Sequence, residues 1–393
     1  MDVRDLRPPS LRRRLQRLAC RTVAQPTVVR TGPIERFDAR QMGYARARAG
    51  DWGPVLQREI ETSQAKEPLA TALRAVNPAF HSIRDGEVNP RRAPLPEPAA
   101  LSRHIKATAR FLKADVAGVC ELPQWAVYSR DWARDPVVCD HRYAVVLVSA
   151  WDFDTMDASS GDDWISLSES YVSYNQSALI ACTLAAYIRD LGYPARAHFQ
   201  GAGTPCYDVV VTPLLLLAGL GEFSRAGWAL NPLLGGRFKA SVVTTDLPLE
   251  PDSPIDFGLQ AFCRACKRCA RECPSRAISD ADHMVPRNGY MAYGFDPERC
   301  GKYRIMNRNG AWCGTCVKVC PWNKSAGITH ELVRLAIARA PRTDALWIDL
   351  DERLGYGRPR PGRQWWLDLE RTKDGFRRPR RSARNDAWQR PEG

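Results

Sequence analysis

Eight of the thirteen cysteines lie between residues 263 and 320, and their spacing is the strongest chemical signal in the chain. Residues 263–274 read Cys-Arg-Ala-Cys-Lys-Arg-Cys-Ala-Arg-Glu-Cys-Pro, which is the pattern C-x2-C-x2-C-x3-C-P. Three thiolates at this spacing can bind three irons on one face of a cubane, whereas the cysteine before the proline ligates a second cluster. The pattern therefore predicts [4Fe–4S] chemistry.

A second, shorter motif, C-x2-C-x3-C-P, follows at residues 313–321, and Cys300 upstream supplies the ligand that it lacks. Eight cysteines are the number that two cubanes require. We assign one cluster to Cys263, Cys266, Cys269 and Cys320. We assign the other cluster to Cys300, Cys313, Cys316 and Cys273.

The alternative for these cysteines is a zinc site, but zinc ribbons use two C-x2-C pairs and need neither a third cysteine nor the Cys-Pro ending. Disulfides are rare in the cytosol, which favours metal binding for so dense a cluster. The five remaining cysteines are scattered singly, and we interpret them as small buried apolar residues.

The composition bounds the class of protein. The chain has 393 residues, 44% hydrophobic and 26% charged, with a net charge of +13. These values indicate two or three compact units and exclude a disordered chain. The apolar run 214–220 is too short to span a bilayer. No apolar stretch follows the arginines at 12–14, so no export signal is evident and we expect a cytoplasmic protein.

The positive charge allows two interpretations. Residues 377–384 read Arg-Arg-Pro-Arg-Arg-Ser-Ala-Arg, and we expect a disordered basic tail. A docking surface for an acidic electron donor is the second interpretation. A nucleic-acid partner is not favoured, because no RNA-binding motif or interleaved aromatic residues accompany the charge.

Hydrophobic patterns predict the elements that must position this chemistry. Residues 101–117 have helical spacing that ends at Gly118, and 174–191 have the clearest helical pattern, ending at Gly192. The runs 143–149 and 208–212 are typical of strands. Helices alternating with strands indicate an α/β or α+β layered fold.

These patterns divide the chain into segments. Residues 1–100 are an N-terminal extension with a Pro-rich linker at 90–98, and 101–255 form the α+β core. Residues 256–330 form a unit like the two-cluster bacterial ferredoxins. Residues 331–370 should pack on the core, and 371–393 form the basic tail.

Several segments outside the cysteine motifs carry a family resemblance. They are 218–225 (Ala-Gly-Leu-Gly-Glu-Phe-Ser-Arg), 244–249 (Thr-Thr-Asp-Leu-Pro-Leu), the helical segment 174–193, 320–324 (Cys-Pro-Trp-Asn-Lys), and 355–357 (Gly-Tyr-Gly) followed by Trp365-Trp366. In their order and spacing these segments resemble the cobalamin-dependent reductive dehalogenases over roughly residues 100–370. The epoxyqueuosine reductases share the arrangement more loosely.

The resemblance implies a fold, cofactors and partners. The fold would be α+β, with a nitroreductase-like core that binds cobalamin and a ferredoxin-like domain with two [4Fe–4S] clusters. The corrinoid would bind base-off, and the motif Asp-x-His-x-x-Gly is absent here. An external donor such as a ferredoxin or flavodoxin would supply electrons.

The resemblance also implies catalytic residues. Tyr174 matches the family's proton donor, and a phenol is a suitable acid at neutral pH. The cation beside it should be Arg237 or Lys239, and the alignment does not choose between them. Arg225 is a weaker candidate for this cation. Gln200 stands where some members place an asparagine near the substrate.

The function implied is reductive removal of halide from an organohalide with two electrons and one proton, and an aromatic compound is one candidate substrate. One alternative is an epoxide-reducing enzyme of tRNA modification, which would retain tRNA. A second is an electron-transfer subunit, which would bind no corrinoid. A third is a related reductase whose substrate carries no halogen.

Overall fold

The computed structural model describes residues 11–63, 67–132, 135–201, 206–307, 312–367 and 370–377. The helices are α1 (Leu11–Ala19), α2 (Gly43–Ala49), α3 (Pro54–Ser63), α4 (Pro68–Val76), α5 (Pro98–Phe111), α6 (Phe153–Ala158), α7 (Ile165–Asp190), α8 (Val211–Leu217), α9 (Leu259–Cys266), α10 (Arg268–Arg271), α11 (Pro297–Met306), α12 (Thr315–Lys318), α13 (Ile328–Arg339) and α14 (Asp344–Arg353). Within these described ranges, no helix combines the length and apolar character needed to cross a membrane.

The strands are short apart from those of one central sheet. They are β1 (Arg21–Thr22), β2 (Val116–Glu121), β3 (Tyr143–Ala150), β4 (Ala195–His198), β5 (Glu222–Phe223), β6 (Ala229–Leu230), β7 (Phe238–Thr245), β8 (Ile255–Asp256), β9 (Val285–Arg287), β10 (Tyr290–Ala292), β11 (Glu370–Thr372) and β12 (Gly375–Arg377). The central sheet has the order β2-β3-β7-β4, and each neighbouring pair in it is antiparallel.

Strand β3 lies inside this sheet, where Val146 stands opposite Gly118 of β2 and Val242 of β7. Its sequence is a continuous apolar run, and every residue before Ala150 is buried. A short run of this kind is typical of a strand covered on both faces. The buried strand predicted over 143–149 is therefore confirmed.

Alternate residues of β3 contribute to two hydrophobic cores, because successive side chains of a strand point to opposite faces. Val145 and Leu147 lie in a core with residues of α5 and α7, such as Ile180. Val146 and Val148 lie in a second core, which contains residues of α8. Helices thus cover an antiparallel sheet, and the predicted α+β class is confirmed.

Helix α7 is longer than the sequence predicted. It begins at Ile165, so Tyr174 lies in its interior and not at its start. The first turns alternate serine with apolar residues, a pattern without helical period. Many of these serines are buried, and Ser173 donates a hydrogen bond of 3.2 Å to the Ala150 carbonyl of β3. The predicted end is correct, since Gly192 follows with φ at +87°.

Two other predicted elements were wrong. Residues 208–212 do not form a strand: only Val209 makes an isolated bridge, and α8 begins at Val211. The helix predicted over 101–117 ends at Phe111, and Gly118 lies within β2 instead of stopping the helix. In both cases packing against the sheet overrides the local apolar spacing.

The described residues of the N-terminal extension pack on the rest of the chain. Helix α1 contacts α13, α3 contacts α11, and α4 contacts α7. Within the Pro-rich segment, residues 92–97 form neither helix nor strand, Pro98 begins α5, and the Ala93 amide donates a 3.0 Å hydrogen bond to the Leu191 carbonyl. This segment therefore runs along the core.

The C-terminal end departs from the predicted boundary. Strands β11 and β12 pair from Glu370 to Arg377, so the first residues assigned to a disordered tail form a hairpin. The remainder of the predicted basic tail, 378–393, lies outside the described residues. Before the hairpin, α14 packs against α9 of the cysteine module, whereas Trp366 packs with Trp164 and Ile165 of the α+β core.

Gly118→Ala tests the close approach of α8 to the sheet. A Cβ at this position would lie 2.4 Å from the Ala218 carbonyl oxygen, so the backbone must shift. We expect a loss of about 1–3 kcal/mol in unfolding free energy, as for other overpacked sites. Gly32→Ala is the control, because its Cβ would meet nothing within 4 Å. Equal thermal unfolding midpoints for the two variants under anaerobic conditions would contradict this packing.

Candidate active site and cluster module

The first cysteine motif folds into two short helices joined by one left-handed residue. Cys263 and Cys266 lie on α9, and Cys269 lies on α10. Lys267 between the helices has φ at +52°, which ends one helix and starts the next. The turn keeps all three thiols at one cavity.

Four cysteines of the first predicted cluster line this cavity. They are Cys263, Cys266, Cys269 and Cys320. Trp322 and Phe262 close it on the apolar side, with their ring centres 5.8 Å apart. Burial, followed by the negative charge of Cys269, raises the pKa of the Cys263 thiol. Bound iron would offset the cost of ionising this buried thiol, because a metal keeps its thiol ligands deprotonated.

The second predicted set also comes together. Burial raises the pKa of Cys316, and the neighbouring thiols of Cys313 and Cys300 raise it further. Cys273 and Cys269 act on Cys316 in the same direction, so Cys316 stands where the two sets adjoin. Cys300 comes from α11 and Cys316 from α12, which shows why one ligand lies outside the compact motif.

Within the described ranges, no three His, Cys, Asp or Glu side chains converge as they would around a single metal ion. The eight thiols form the two wider groups described above. In a cubane each thiolate binds a different iron, so wider spacing suits two clusters. The division of the ligands between the clusters stays a prediction.

A second cavity, of about 210 Å³, lies beside the Cys300 side of the cluster module. Its walls are largely aromatic. The aromatic residues that line it are Tyr44, Trp132, Tyr171, Tyr174, Phe295 and Trp312. Arg48, Gln200, Cys300 and Arg304 supply the polar part of the wall. We call this space the aromatic cavity.

Lys239 lies behind the wall of the aromatic cavity, against two of the rings that line it, Tyr174 and Trp312. The Lys239 Nζ lies 4.9 Å from the centre of the Tyr174 ring, and 4.9 and 5.1 Å from the rings of Trp151 and Trp312. Burial raises the pKa of Tyr174 above its usual value. Burial and the charge of Arg304 lower the pKa of Lys239 to about 7. Lys239 can therefore exchange its proton near neutral pH.

Arg237 does not join this pair. Its Nη1 donates a 2.9 Å hydrogen bond to the Trp151 carbonyl, and its guanidinium lies 5.4 Å from the centre of the Phe153 ring. Arg237 immediately precedes β7, and Lys239 is the second residue of that strand. Of these two cations, Lys239 is the one that lies against the Tyr174 ring.

The two other site residues suggested by the sequence, Gln200 and Arg225, lie at different cavities. Gln200 lines the aromatic cavity, and its Nε2 donates a 3.1 Å hydrogen bond to the Gly201 carbonyl. Arg225 lies away from this cavity, at the cavity of the first cysteine set. Its weaker candidacy as the catalytic cation is therefore not supported by its position.

Arg304 is a residue that the sequence reasoning missed. Its guanidinium stacks at 3.2 Å from the centre of the Trp312 ring and lies 5.1 Å from that of Tyr44. Its Nε is buried without a hydrogen-bond partner among the described residues. The available signal was its position on α11, one helical turn after Cys300, which places both residues on one face.

Comparisons with known proteins agree with this arrangement. Residues 262–323 match the family model of the 4Fe-4S double cluster binding domain. The chain is 28% identical over 330 residues to a tetrachloroethene reductive dehalogenase of Sulfurospirillum multivorans, covering 72% of this chain and 64% of that protein. An epoxyqueuosine reductase of Aliivibrio fischeri is 26% identical over 270 residues.

Two solved structures share the fold. The catabolic reductive dehalogenase NpRdhA, in complex with 3-bromo-4-hydroxybenzoic acid, matches 94% of this chain and 55% of its own length, with TM-score 0.86 and 35% identity. A reductive dehalogenase structure described as suggesting a mechanism for B12-dependent dehalogenation matches 97% of this chain and 58% of its own, with TM-score 0.86 and 34% identity.

The chain thus spans from about half to two thirds of the length of these relatives. It is a homologue of the reductive dehalogenases, and the epoxyqueuosine reductases are more distant relatives. The resemblance inferred from the sequence motifs is confirmed, as is the module for two [4Fe–4S] clusters.

Cys300→Ser tests the ligand outside the compact motif. The wild-type protein, prepared without oxygen, should hold about eight iron and eight sulfide. The variant should convert or lose one cluster, because a serine replaces one of its four thiolates. Iron and sulfide analysis and EPR spectra of the reduced protein measure this change.

Cys182→Ser is the matched control for the Cys300 variant. Cys182 is also buried, but its Sγ contacts the Phe80 carbonyl in the hydrophobic core. Identical cluster spectra in wild type and Cys300→Ser would refute the assignment. Stoichiometric zinc without sulfide in the wild-type protein would refute the clusters themselves.

Proposed function

We propose that this chain is a reductive dehalogenase that uses two [4Fe–4S] clusters and a base-off corrinoid to replace a carbon-bound halogen with hydrogen. One observation carries this proposal: Tyr174 and Cys300, a predicted cluster ligand, line the same aromatic cavity, and Lys239 lies beside the Tyr174 ring. Electron delivery and a proton donor thus meet at one cavity. The names of the relatives support the same chemistry.

Buried donors near Lys239 fit a corrinoid. Ser149 stands opposite Lys239 in the register of β3 and β7, and its Oγ is buried without a hydrogen-bond partner among the described residues. The same holds for Nε1 of Trp151, whose ring lies 4.9 Å from the Lys239 Nζ. Buried donors need acceptors, and the amide groups around a corrin ring supply them. The likeness to a B12-dependent dehalogenase favours this assignment.

When bound, the corrinoid supplies the reducing power that cleaves the carbon–halogen bond. The overall change takes two electrons and one proton, and it converts R–X to R–H and halide. The protein supplies the proton and excludes water. Tyr174 donates the proton from its hydroxyl, and the Lys239 ammonium favours the tyrosinate that remains, because opposite charges stabilise each other.

The cavity favours an aromatic substrate with an acidic group. Tyr44, Tyr171 and Trp312 offer ring faces and edges to a planar molecule. Lys239 and Arg304 place positive charge beside these rings and can attract a phenolate or carboxylate. The likeness to NpRdhA, whose structure holds 3-bromo-4-hydroxybenzoic acid, supports a substrate of this class.

Electrons would pass from the cluster of the first cysteine set to that of the second. Cys316 adjoins both sets, and Cys300 of the second set lines the aromatic cavity. The second cluster is therefore the one nearer the substrate. We infer an acidic external donor such as a ferredoxin or flavodoxin, because the chain carries a net charge of +13.

Anaerobic reconstitution tests the proposed function. The protein is loaded with iron and sulfide, with or without cobalamin, and mixed with a chemical reductant and 3-bromo-4-hydroxybenzoate. Bromide should form only in the cobalamin-loaded sample. A protein that binds no cobalamin would instead support the electron-transfer alternative. Reduction of an epoxyqueuosine stem loop without any halide release would support the tRNA-modification alternative.

Tyr174→Phe should retain cobalamin and both clusters but lose about 10²–10⁴-fold in turnover, the usual contribution of a general acid. The change removes one hydroxyl and little volume. Tyr143→Phe is the control, because it removes the same hydroxyl from a buried tyrosine that belongs to the core between β3 and α7 and not to the aromatic cavity. Full bromide release by Tyr174→Phe would disprove the proton-donor role.

Lys239→Gln should lose about 10²–10³-fold in turnover, as when one group that stabilises a developing anion is removed. Arg237→Gln should lose stability but keep most turnover, since Arg237 is bonded to the Trp151 carbonyl and does not reach Tyr174. Rates are compared in protein with equal iron and cobalamin content. The reverse order of effects would assign the catalytic cation to Arg237.

A further inference from the structure

Arg225 ends the segment 218–225, which carried part of the family resemblance, and it has no place in the proposed proton transfer. Its side chain is among the largest that are completely buried, with 1% of its surface exposed. It lines the cavity formed by Cys263, Cys266, Cys269 and Cys320. A guanidinium in such a place needs a physical reason, because burying a charge is costly.

Three hydrogen bonds hold the guanidinium in one orientation. Its Nε donates to the Cys263 carbonyl at 3.0 Å, and its Nη1 donates to the carbonyls of Ser279 and Ala281 at 2.9 Å each. Its face lies 3.6 Å from the centre of the Tyr293 ring. Nη2 is buried and has no hydrogen-bond partner among the described residues.

The described residues provide no buried carboxylate for this cation. The other buried cations at the first cluster, Arg268 and Lys324, share Asp351 at 2.6 Å each. Asp282 is within the electrostatic influence of Arg225, but it is exposed and pairs with Lys267. Arg225 therefore presents an unpaired donor and a charge without a paired carboxylate at a cavity lined by five thiols, the four of the first set and Cys316 of the second.

We propose that Nη2 of Arg225 donates a hydrogen bond to a sulfur of the cluster held by Cys263, Cys266, Cys269 and Cys320, and thereby raises the reduction potential of that cluster. The cluster gains one electron on reduction, so its negative charge increases by one. A fixed cation stabilises the more negative form more strongly, and hydrogen bonds and charge near the sulfurs set such potentials. Arg225 is thus a tuning residue for electron entry.

The proposal rests on the cluster assignment and not on dehalogenation. The test compares wild type with Arg225→Gln and Arg225→Lys, all reconstituted with iron and sulfide without corrinoid or substrate. Iron and sulfide analysis first establishes that both clusters are present. A reductive titration followed by EPR then gives the two midpoint potentials, and a Cys266→Ser variant identifies the signal of the first cluster.

We expect the first cluster of Arg225→Gln to titrate at a more negative potential than in wild type, and the second cluster to change little. Arg225→Lys keeps the positive charge but loses the fork of donors. The potential of its first cluster should therefore lie between those of wild type and Arg225→Gln. Arg189→Gln is the control, because Arg189 is a buried arginine bonded to the Ala195 carbonyl in the α+β core, outside the module that contains the eight clustered cysteines. It should leave both potentials unchanged.

Unchanged potentials in an Arg225→Gln protein with full iron content would overturn the proposal, because a purely structural arginine predicts that result. If Arg225→Gln does not incorporate both clusters, the test is hyperfine spectroscopy on wild type whose arginine guanidino groups are labelled with ¹⁵N. The reduced first cluster should show nitrogen hyperfine coupling that weakens in Arg225→Lys. Absence of this coupling in wild type would also overturn the proposal. A failure of either kind leaves the dehalogenase proposal untouched.

Discussion

Buried charge is the constraint around which the molecule is organised. Eight thiols lie at the junction of α9 to α12, and burial disfavours the ionisation of Cys263, Cys316 and Cys320 among them by raising their pKa. The buried cations Arg225, Arg268 and Lys324 stand around the first set, with Asp351 as the only carboxylate that pairs with them in the described structure. Iron–sulfur clusters would balance these charges. Their iron keeps the thiols ionised, and the negatively charged cluster offsets the charge of the buried cations.

The antiparallel sheet and the helices that pack on it place the aromatic cavity next to the cysteine module. Ser173 of α7 bonds to the Ala150 carbonyl of β3, and Ser241 of β7 bonds to the Ser177 carbonyl. These short side chains let the helix approach the sheet closely. Tyr174 of α7 and Lys239 of β7 consequently meet near the end of the sheet at which β7 begins. Helix α11 brings Cys300 and Arg304 to the aromatic cavity, which Tyr174 also lines.

The sequence predicted the parts of the site that local spacing encodes. Cysteine spacing follows from cluster geometry, and an uninterrupted apolar run predicts β3. Residues whose role depends on distant neighbours were not found: Arg304 acts through Trp312 and Tyr44, and Arg225 through carbonyls up to 56 residues away. The start of α7 was missed because buried serines carry no helical period, and 208–212 was misjudged because β-branched residues there pack as a loop and a helix start.

The central claim is that two clusters and a corrinoid in this chain deliver two electrons and one proton to a halogenated substrate at the aromatic cavity. The most direct measurement is a single-turnover experiment with holoprotein that has been reduced to a known extent and freed of excess reductant. Addition of 3-bromo-4-hydroxybenzoate should release one bromide for every two electrons lost by the protein, and Tyr174→Phe should slow this release without changing the ratio. Oxidation of the clusters without any bromide formation would contradict the account.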